Sequence, residues 1–330
     1  MSGKIFNIHL GPITPKTRFL PFLETHASTL DRYVHVVDNY EFFEPYKDKT
    51  IIIDINKYRE NHPWSKDKEI LYSEKDPLLF VKNFREFCFD EKNYYPLDLM
   101  RAAFLHFYEN DILNFAFIAT NAVMTNDNTL LDEYFDKKPP GSFYLLNFND
   151  SPRPFQLDQF IRKGIKEKYP FLKLTGQYNY FDGWNISFHF KNKEDLLLFY
   201  NIWDDVLRLY YNSPDAKHLL GTTAGYTQYE AVIGYVIKIF NDTFNYEIGS
   251  ILDQWSNGTT GKYICRIHDT FLWHGGGTVR FADRYGFINN KDINTVEDFI
   301  KINKEALTKF YYESNLDFKI TDETVFLKLK

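Results

Sequence analysis

The chain has 330 residues, 44% of them hydrophobic, and a formal net charge of −6, so it can bury a large core as one sizeable domain or two smaller ones. That balance supplies no global field for phosphate backbones, and nucleic-acid binding is not required, although a local basic cleft stays open. Two cysteines, Cys88 and Cys265, make neither a disulfide framework nor a thiolate zinc site. MSGKIFNIHLGP lacks the apolar core of a signal peptide, and no run of about 18 apolar residues suggests a membrane span. The expectation is a cytoplasmic protein in a reducing compartment.

Lys4–Leu10 is a short β-prone run closed by Gly11-Pro12 and reads as a first strand. Thr17–Leu30 reads as a helix. Thr50–Asp54 (TIIID) reads as the second strand, its unbroken apolar run expected of a strand covered on both faces. The spacing over Pro96–Asn110 predicts a helix with proline at its start. Asn114–Met124 (NFAFIATNAVM) reads as a central strand turning at 125–128 (TNDN), and Ser142–Phe148 as a further strand. After Pro152 and Pro154 come longer helical stretches at Glu194–Tyr211 and Tyr229–Phe240. Alternating strands and helices favour a mostly parallel sheet. A boundary near 150 divides the chain into two halves, 1–150 and 151–330, of one continuous domain, with a closing segment, 264–290, expected to return to the first half.

The stretch from 96 to 136 resembles the core of the GT-A-fold glycosyltransferases, the nucleotide-sugar-dependent enzymes. Their pattern is a helix carrying an Arg, an apolar strand ending in Asp-x-Asp, a polar turn and a Leu-Phe-Asp-like helix. Here Arg101 stands in the helix, FAFIATNAVM in the strand and TLLDEYFD in the following helix. Where the family places Asp-x-Asp, this chain reads Ala119-Thr120-Asn121. Carboxylates hold hard cations by oxygen and charge, whereas Asn121 brings only an oxygen. Asp127 in the turn can take that role, or Arg and Lys can neutralise the diphosphate without metal. The resemblance implies a GT-A-like, mostly parallel mixed sheet flanked by helices, with a helical acceptor-side part. It also implies that His9 and Gly11, closing the first strand, and Asp54, closing the second, hold base and ribose at the carboxyl ends of strands. An Asp at a strand end also commonly caps the next turn.

The segment 271–287, FLWHGGGTVRFADRYGF, supports the same resemblance. Trp273-His274-Gly275 followed by Arg280 and Arg284 is similar to a segment near the end of some GT-A catalytic domains that completes metal or diphosphate binding. Glycines 275–277, with Gly275 and Gly276 first, let backbone N–H groups converge on one anion, and Arg280 offers a planar fork to phosphate oxygens. His274 and Asp127 are the candidate ligands of Mn²⁺ or Mg²⁺. The glycines also read as a plain turn. They fit neither a P-loop nor a dinucleotide fingerprint, since no Gly-Lys-Ser/Thr and no GxGxxG helix start is present.

Tyr180-Phe-Asp-Gly-Trp-Asn185 is similar to the Gly-Trp element that presents an acid and an aromatic to the acceptor sugar. Trp184 would cover apolar C–H faces and Asp182 accept from hydroxyls. A glycine turn with Trp184 in the core is the structural alternative. Glu230 is a second candidate catalytic carboxylate, and Thr227 with Glu230 also fits a capping box. Serine-hydrolase elbows and HExxH are absent.

Together these resemblances imply transfer of a sugar from a nucleoside-diphosphate sugar, UDP-linked, to a hydroxyl acceptor. Glycan, protein and modified phage DNA all stay open as acceptors, because the composition suits a large DNA virus, a phage or an AT-rich bacterium. For DNA the only basic cluster is 162–168 (RKGIKEK), which also reads as a solvated helix face. The alternatives are a noncatalytic carbohydrate- or nucleotide-binding protein and a viral structural protein derived from such a fold.

Overall fold

The computed structural model describes residues 3–9, 28–38, 40–60, 100–118, 122–124, 128–145, 154–156, 159–174, 177–179, 185–212, 227–250, 264–266, 301–302, 304–306, 308, 316–320 and 325–329. In chain order β1 (Lys4–His9) is followed by β2 (Tyr33–Val37), the short helical turn α1 (Tyr40–Phe43), β3 (Ile51–Asp54) and α2 (Ile55–Glu60). Next come α3 (Arg101–Glu109), β4 (Asn114–Ile118), β5 (Ala122–Met124), α4 (Asn128–Asp136) and β6 (Ser142–Leu145). Then follow β7 (Pro154–Gln156), α5 (Gln159–Lys168), β8 (Gln177–Asn179), β9 (Asn185–His189) and α6 (Lys193–Asn212). The remainder comprises α7 (Thr227–Phe244), β10 (Glu247–Ser250), β11 (Ile264–Arg266) and the hairpin β12 (Leu316–Ile320) and β13 (Val325–Leu329).

Seven strands make one sheet in the order β10-β6-β9-β4-β1-β2-β3. β1, β2, β3 and β4 are mutually parallel, β10 is parallel to β6, and β9 alone runs antiparallel to its neighbours β4 and β6. This is the mostly parallel, mixed sheet flanked by helices that the GT-A resemblance implies. Its strands come from both sides of position 150. Among the described residues, no helix is long and apolar enough to cross a membrane.

Alternation along each strand divides the core into two layers. Phe6, Val34, Val36, Phe115, Phe117, Phe143, Ile186 and Phe188 meet α3, α6 and α7 on one face. Phe104 of α3 is the hub of that layer, edge-on to Phe115, Phe188 and Trp203 with centroids 4.9, 5.0 and 5.3 Å away. Such edge-to-face pairs each add about 0.5–1.5 kcal/mol beyond area burial. On the other face Ile5, Tyr33, Ala116 and Ile118 meet Leu131, Tyr134 and Phe135 of α4.

The second face is partly polar. Ser187 Oγ and His189 Nε2 are 2.7 Å apart in β9, and Lys138, just after α4, places its amine 3.9 Å from the Tyr134 ring centre. Burial and the nearby Lys138 push the His189 imidazole down to about 3. Burial likewise lowers the Lys138 amine to about 8.

Several expectations change. A strand, β2, lies between β1 and the run at 50–54 and has every residue buried. β3 is instead an edge strand whose four residues are half-buried; its apolar run reflects helix contacts and one neighbouring strand rather than a central place. The expected central strand, 114–124, is two strands: β4 stays in the main sheet, whereas β5 pairs antiparallel with β11 in a separate two-stranded sheet. The expected helix 17–30 lies mostly outside the described residues, and its end at Leu30 is the start of a 3-10 turn, Leu30–Arg32. The four later helices form at 101–109, 128–136, 193–212 and 227–244.

Candidate functional site

The parallel strands end together. The Cα of His9 pairs with that of Val37, and Val37 with Asp54, so three strand ends form one row. With neighbouring strands about 4.8 Å apart, His9 and Asp54 lie about 10 Å from one another at this carboxyl edge. β4 joins the same edge, for Phe6 pairs with Phe117 and the strand ends at Ile118. Ala119-Thr120-Asn121 follows directly.

β9 brings a further candidate by running the other way. Its first residue, Asn185, pairs with Ile118, and Ile186 with Leu145. β9 therefore enters the sheet at the edge where β4 leaves it; Asp182 and Trp184 stand three residues and one residue ahead of Asn185 in the chain. They lie outside the described residues, as do Gly11, Asn121, Asp127, His274, Gly275, Gly276 and Arg280.

The small sheet supplies the last juxtaposition. Ala122 pairs with Arg266, Val123 with Cys265 and Met124 with Ile264. Directly opposed antiparallel residues have Cα atoms about 4.5–5.5 Å apart. The residue after Asn121 is thus held beside the residue that opens the stretch leading through Ile267-His268-Asp269 to Trp273-His274-Gly275. Two segments far apart in the chain meet at this ladder.

The remaining candidates have individual settings. Asp54 accepts the backbone N–H of Asn56 at 2.9 Å and so caps the first turn of α2, while Asn56 donates through its side chain to the Asp38 carbonyl at 3.0 Å. Arg101 opens α3, is 1% exposed, and donates to and ion-pairs with Asp204 of α6. Close by, the hydroxyls of Tyr58 and Tyr200 are 3.1 Å apart; burial raises the Tyr200 hydroxyl, and Arg101 partly offsets that shift. The strand and helix carrying His9 and Glu230 are described, but not those two side chains. Glu230 falls in the first turn of α7, at the end remote from the helix's junction with β10.

Beneath the strand-end row lies a pair that motif reading missed. Asn7 and His35, Cα partners in β1 and β2, are both fully buried. His35 Nδ1–H donates to Asn7 Oδ1 at 2.6 Å, and the amide nitrogen of Asn7 has no hydrogen-bond partner among the described residues. Two polar residues two positions apart in an otherwise apolar strand, Asn7 then His9 in KIFNIHL, were the available signal. Among the described residues no group of three or more His, Cys, Asp or Glu could hold a metal ion. The candidate ligands Asn121, Asp127 and His274 are not among them. As a donor set, an amide oxygen, a carboxylate and an imidazole are chemically suited to Mn²⁺ and less so to Mg²⁺.

No protein-family model matches the sequence, and no curated protein matches it. Among solved structures, mouse xyloside xylosyltransferase 1 in its apo form is similar at 9% identity and TM-score 0.37, over 77% of this chain and 86% of that one. Mannose-1-phosphate geranyltransferase from Thermus thermophilus is similar at 9% identity and TM-score 0.26, over 76% of this chain and 70% of that one.

Proposed function

We propose that the protein is a glycosyltransferase that moves a sugar from a nucleoside-diphosphate sugar, UDP-linked, to a hydroxyl acceptor. The observation carrying this reading is the β5–β11 ladder, which joins the strand following Asn121 to the approach to the Trp-His-Gly-Gly-Gly segment. Open α/β sheets bind ligands outside the carboxyl ends of their strands, and His9, Asp54 and the end of β4 are gathered there. In this reading His9, Gly11 and Asp54 hold base and ribose. Gly275 and Gly276 turn backbone N–H groups toward the diphosphate, and Arg280 clamps its oxygens. Arg101, at the start of α3, is the further donor-phosphate candidate, and reaching the phosphates requires it to leave its ion pair with Asp204. Asn121, Asp127 and His274 would hold Mn²⁺ or Mg²⁺, which when bound neutralises charge on the departing diphosphate.

Trp184 receives the apolar face of the acceptor sugar, and Asp182 or Glu230 accepts the proton of its hydroxyl if the anomeric centre inverts. If configuration is retained, the same carboxylate orients the acceptor. The test is a thermal-shift titration with UDP-, GDP-, ADP- and CMP-linked sugars, each with Mn²⁺ and with EDTA, since a ligand that binds the native state raises its midpoint. A selective rise with UDP-sugars is expected, enhanced by Mn²⁺. No rise with any nucleotide sugar refutes the transferase reading and favours a noncatalytic protein.

A further inference from the structure

The second half carries a basic, aromatic surface that the proposed reaction does not use. From Gln159 to Leu174 the chain has five basic residues against one acidic residue, in a protein of formal net charge −6. α5 buries Ile161 and Ile165 and sets Gly164 against Leu209 of α6. Its outward side therefore carries Lys163, Lys166 and Glu167, with the Lys163 amine 3.9 Å from the Glu167 carboxylate in an exposed pair that opens at little cost. Two large apolar side chains are about half exposed, Phe160 in the first turn of this element at 48% and Phe171 in the turn after it at 57%, the latter with its inner side toward the rings of Tyr169 and Phe244.

Phe171 is not merely left over. The Lys166 amine donates to the carbonyls on either side of it, Pro170 at 2.6 Å and Leu172 at 2.7 Å. Leu172 is 1% exposed, and the Lys173 N–H donates to Thr243 Oγ1 at 3.0 Å. Asp205 gathers Lys168 at 2.6 Å, the Tyr169 hydroxyl at 2.7 Å and Arg208 at 2.9 Å. The turn is fastened on both sides of an outward ring, so presenting that ring costs little further ordering on contact.

We propose that the α5 face and its following turn form a peripheral docking surface for a membrane rich in anionic headgroups, with Phe171 and Phe160 entering the headgroup boundary and Lys163 and Lys173 meeting lipid phosphates and carboxylates. Opposite charge selects the surface, and apolar rings at both ends of a helix about 15 Å long need an apolar layer to receive them. A nucleic acid fits less well. Lys166 and Lys168 are turned onto carbonyls and Asp205 rather than arrayed along a groove for a phosphate backbone. This surface stands or falls independently of the transferase reading.

Vesicle flotation of the full chain tests it, comparing phosphatidylcholine alone with vesicles containing one third phosphatidylserine at 0.1 M salt. Binding is expected only with the anionic lipid. Phe171→Ala should weaken it about tenfold, and Lys163→Glu and Lys173→Glu about fivefold each. Melting temperatures of these solvent-facing variants should match the parent's. Absence of flotation, equal flotation with both lipids, or unchanged binding of all three variants overturns the proposal. Tighter binding to a single-stranded oligonucleotide than to anionic vesicles, lost in the same variants, overturns it in favour of nucleic acid.

Discussion

Arg101 shows how a residue's chemistry depends on its partner. A guanidinium 1% exposed is costly unless neutralised, and Asp204 supplies the opposite charge from α6. Asp204→Ala leaves that charge buried and should cost about 3–5 kcal/mol, read as a lower urea midpoint; a change below about 1 kcal/mol would show that Arg101 does not depend on this pair. If Arg101 also serves the donor, its reach is set by α6 as much as by α3. His189 makes a second case. Its imidazole is held down to about 3, whereas an unfolded histidine titrates near 6.5. Between those values the unfolded chain takes up a proton that the native ring refuses, so stability falls on acidification by up to about 1.4 kcal/mol per pH unit. His189→Gln should flatten the decline of folding free energy between pH 6.5 and 4.5. Parallel profiles would remove His189 as its source.

At the scale of elements, length and periodicity made the long helices legible, because α6 and α7 carry many turns of consistent apolar spacing. Short strands were not so readable. Tyr33-Val-His-Val-Val37 is a compact β-branched run, yet Asp38-Asn39 and a polar His35 obscured it, and it proved to be a fully buried strand. The run 114–124 failed differently: Thr120-Asn121 breaks its hydrophobicity between β4 and β5, but two polar residues inside an apolar run do not say that the second half pairs in another sheet. Partner choice is nonlocal, so composition along one strand cannot carry it. Phe104 is the element-level test of packing. It couples α3 to β4, β9 and α6 through Phe115, Phe188 and Trp203. Phe104→Ala should destabilise by about 3–5 kcal/mol, measured by denaturant unfolding, and a loss under about 1 kcal/mol would mean that the layer repacks around the gap.

Over the whole molecule, the sequence offered the ingredients of a site but only part of its assembly. Motif spacing placed candidates near 9, 54, 121, 182 and 274; the topology brings the first two to one edge through shared strand direction, while the other three lie outside the described residues. The β5–β11 ladder is directly testable with a native cysteine. Val123 and Cys265 are Cα partners, and opposed antiparallel positions lie within disulfide reach. In a Cys88→Ala background, Val123→Cys should cross-link to Cys265 under mild oxidation, seen as a faster-migrating monomer on a nonreducing gel. If the linked protein loses nucleotide-sugar binding on oxidation and regains it on reduction, the closing stretch must separate from β5 for ligand to enter; if no link forms, the ladder is not populated in solution.

The reversal of β9 ties the two halves of the sheet together. Because this strand enters at the rim where β4 and β6 leave, it is the antiparallel splice between two parallel groups, and its register is held on both sides at once: Ile186 by Phe117 and Leu145, Phe188 by Phe115 and Phe143. A slip of one residue would have to break both ladders together, so this strand acts as the keystone of the sheet.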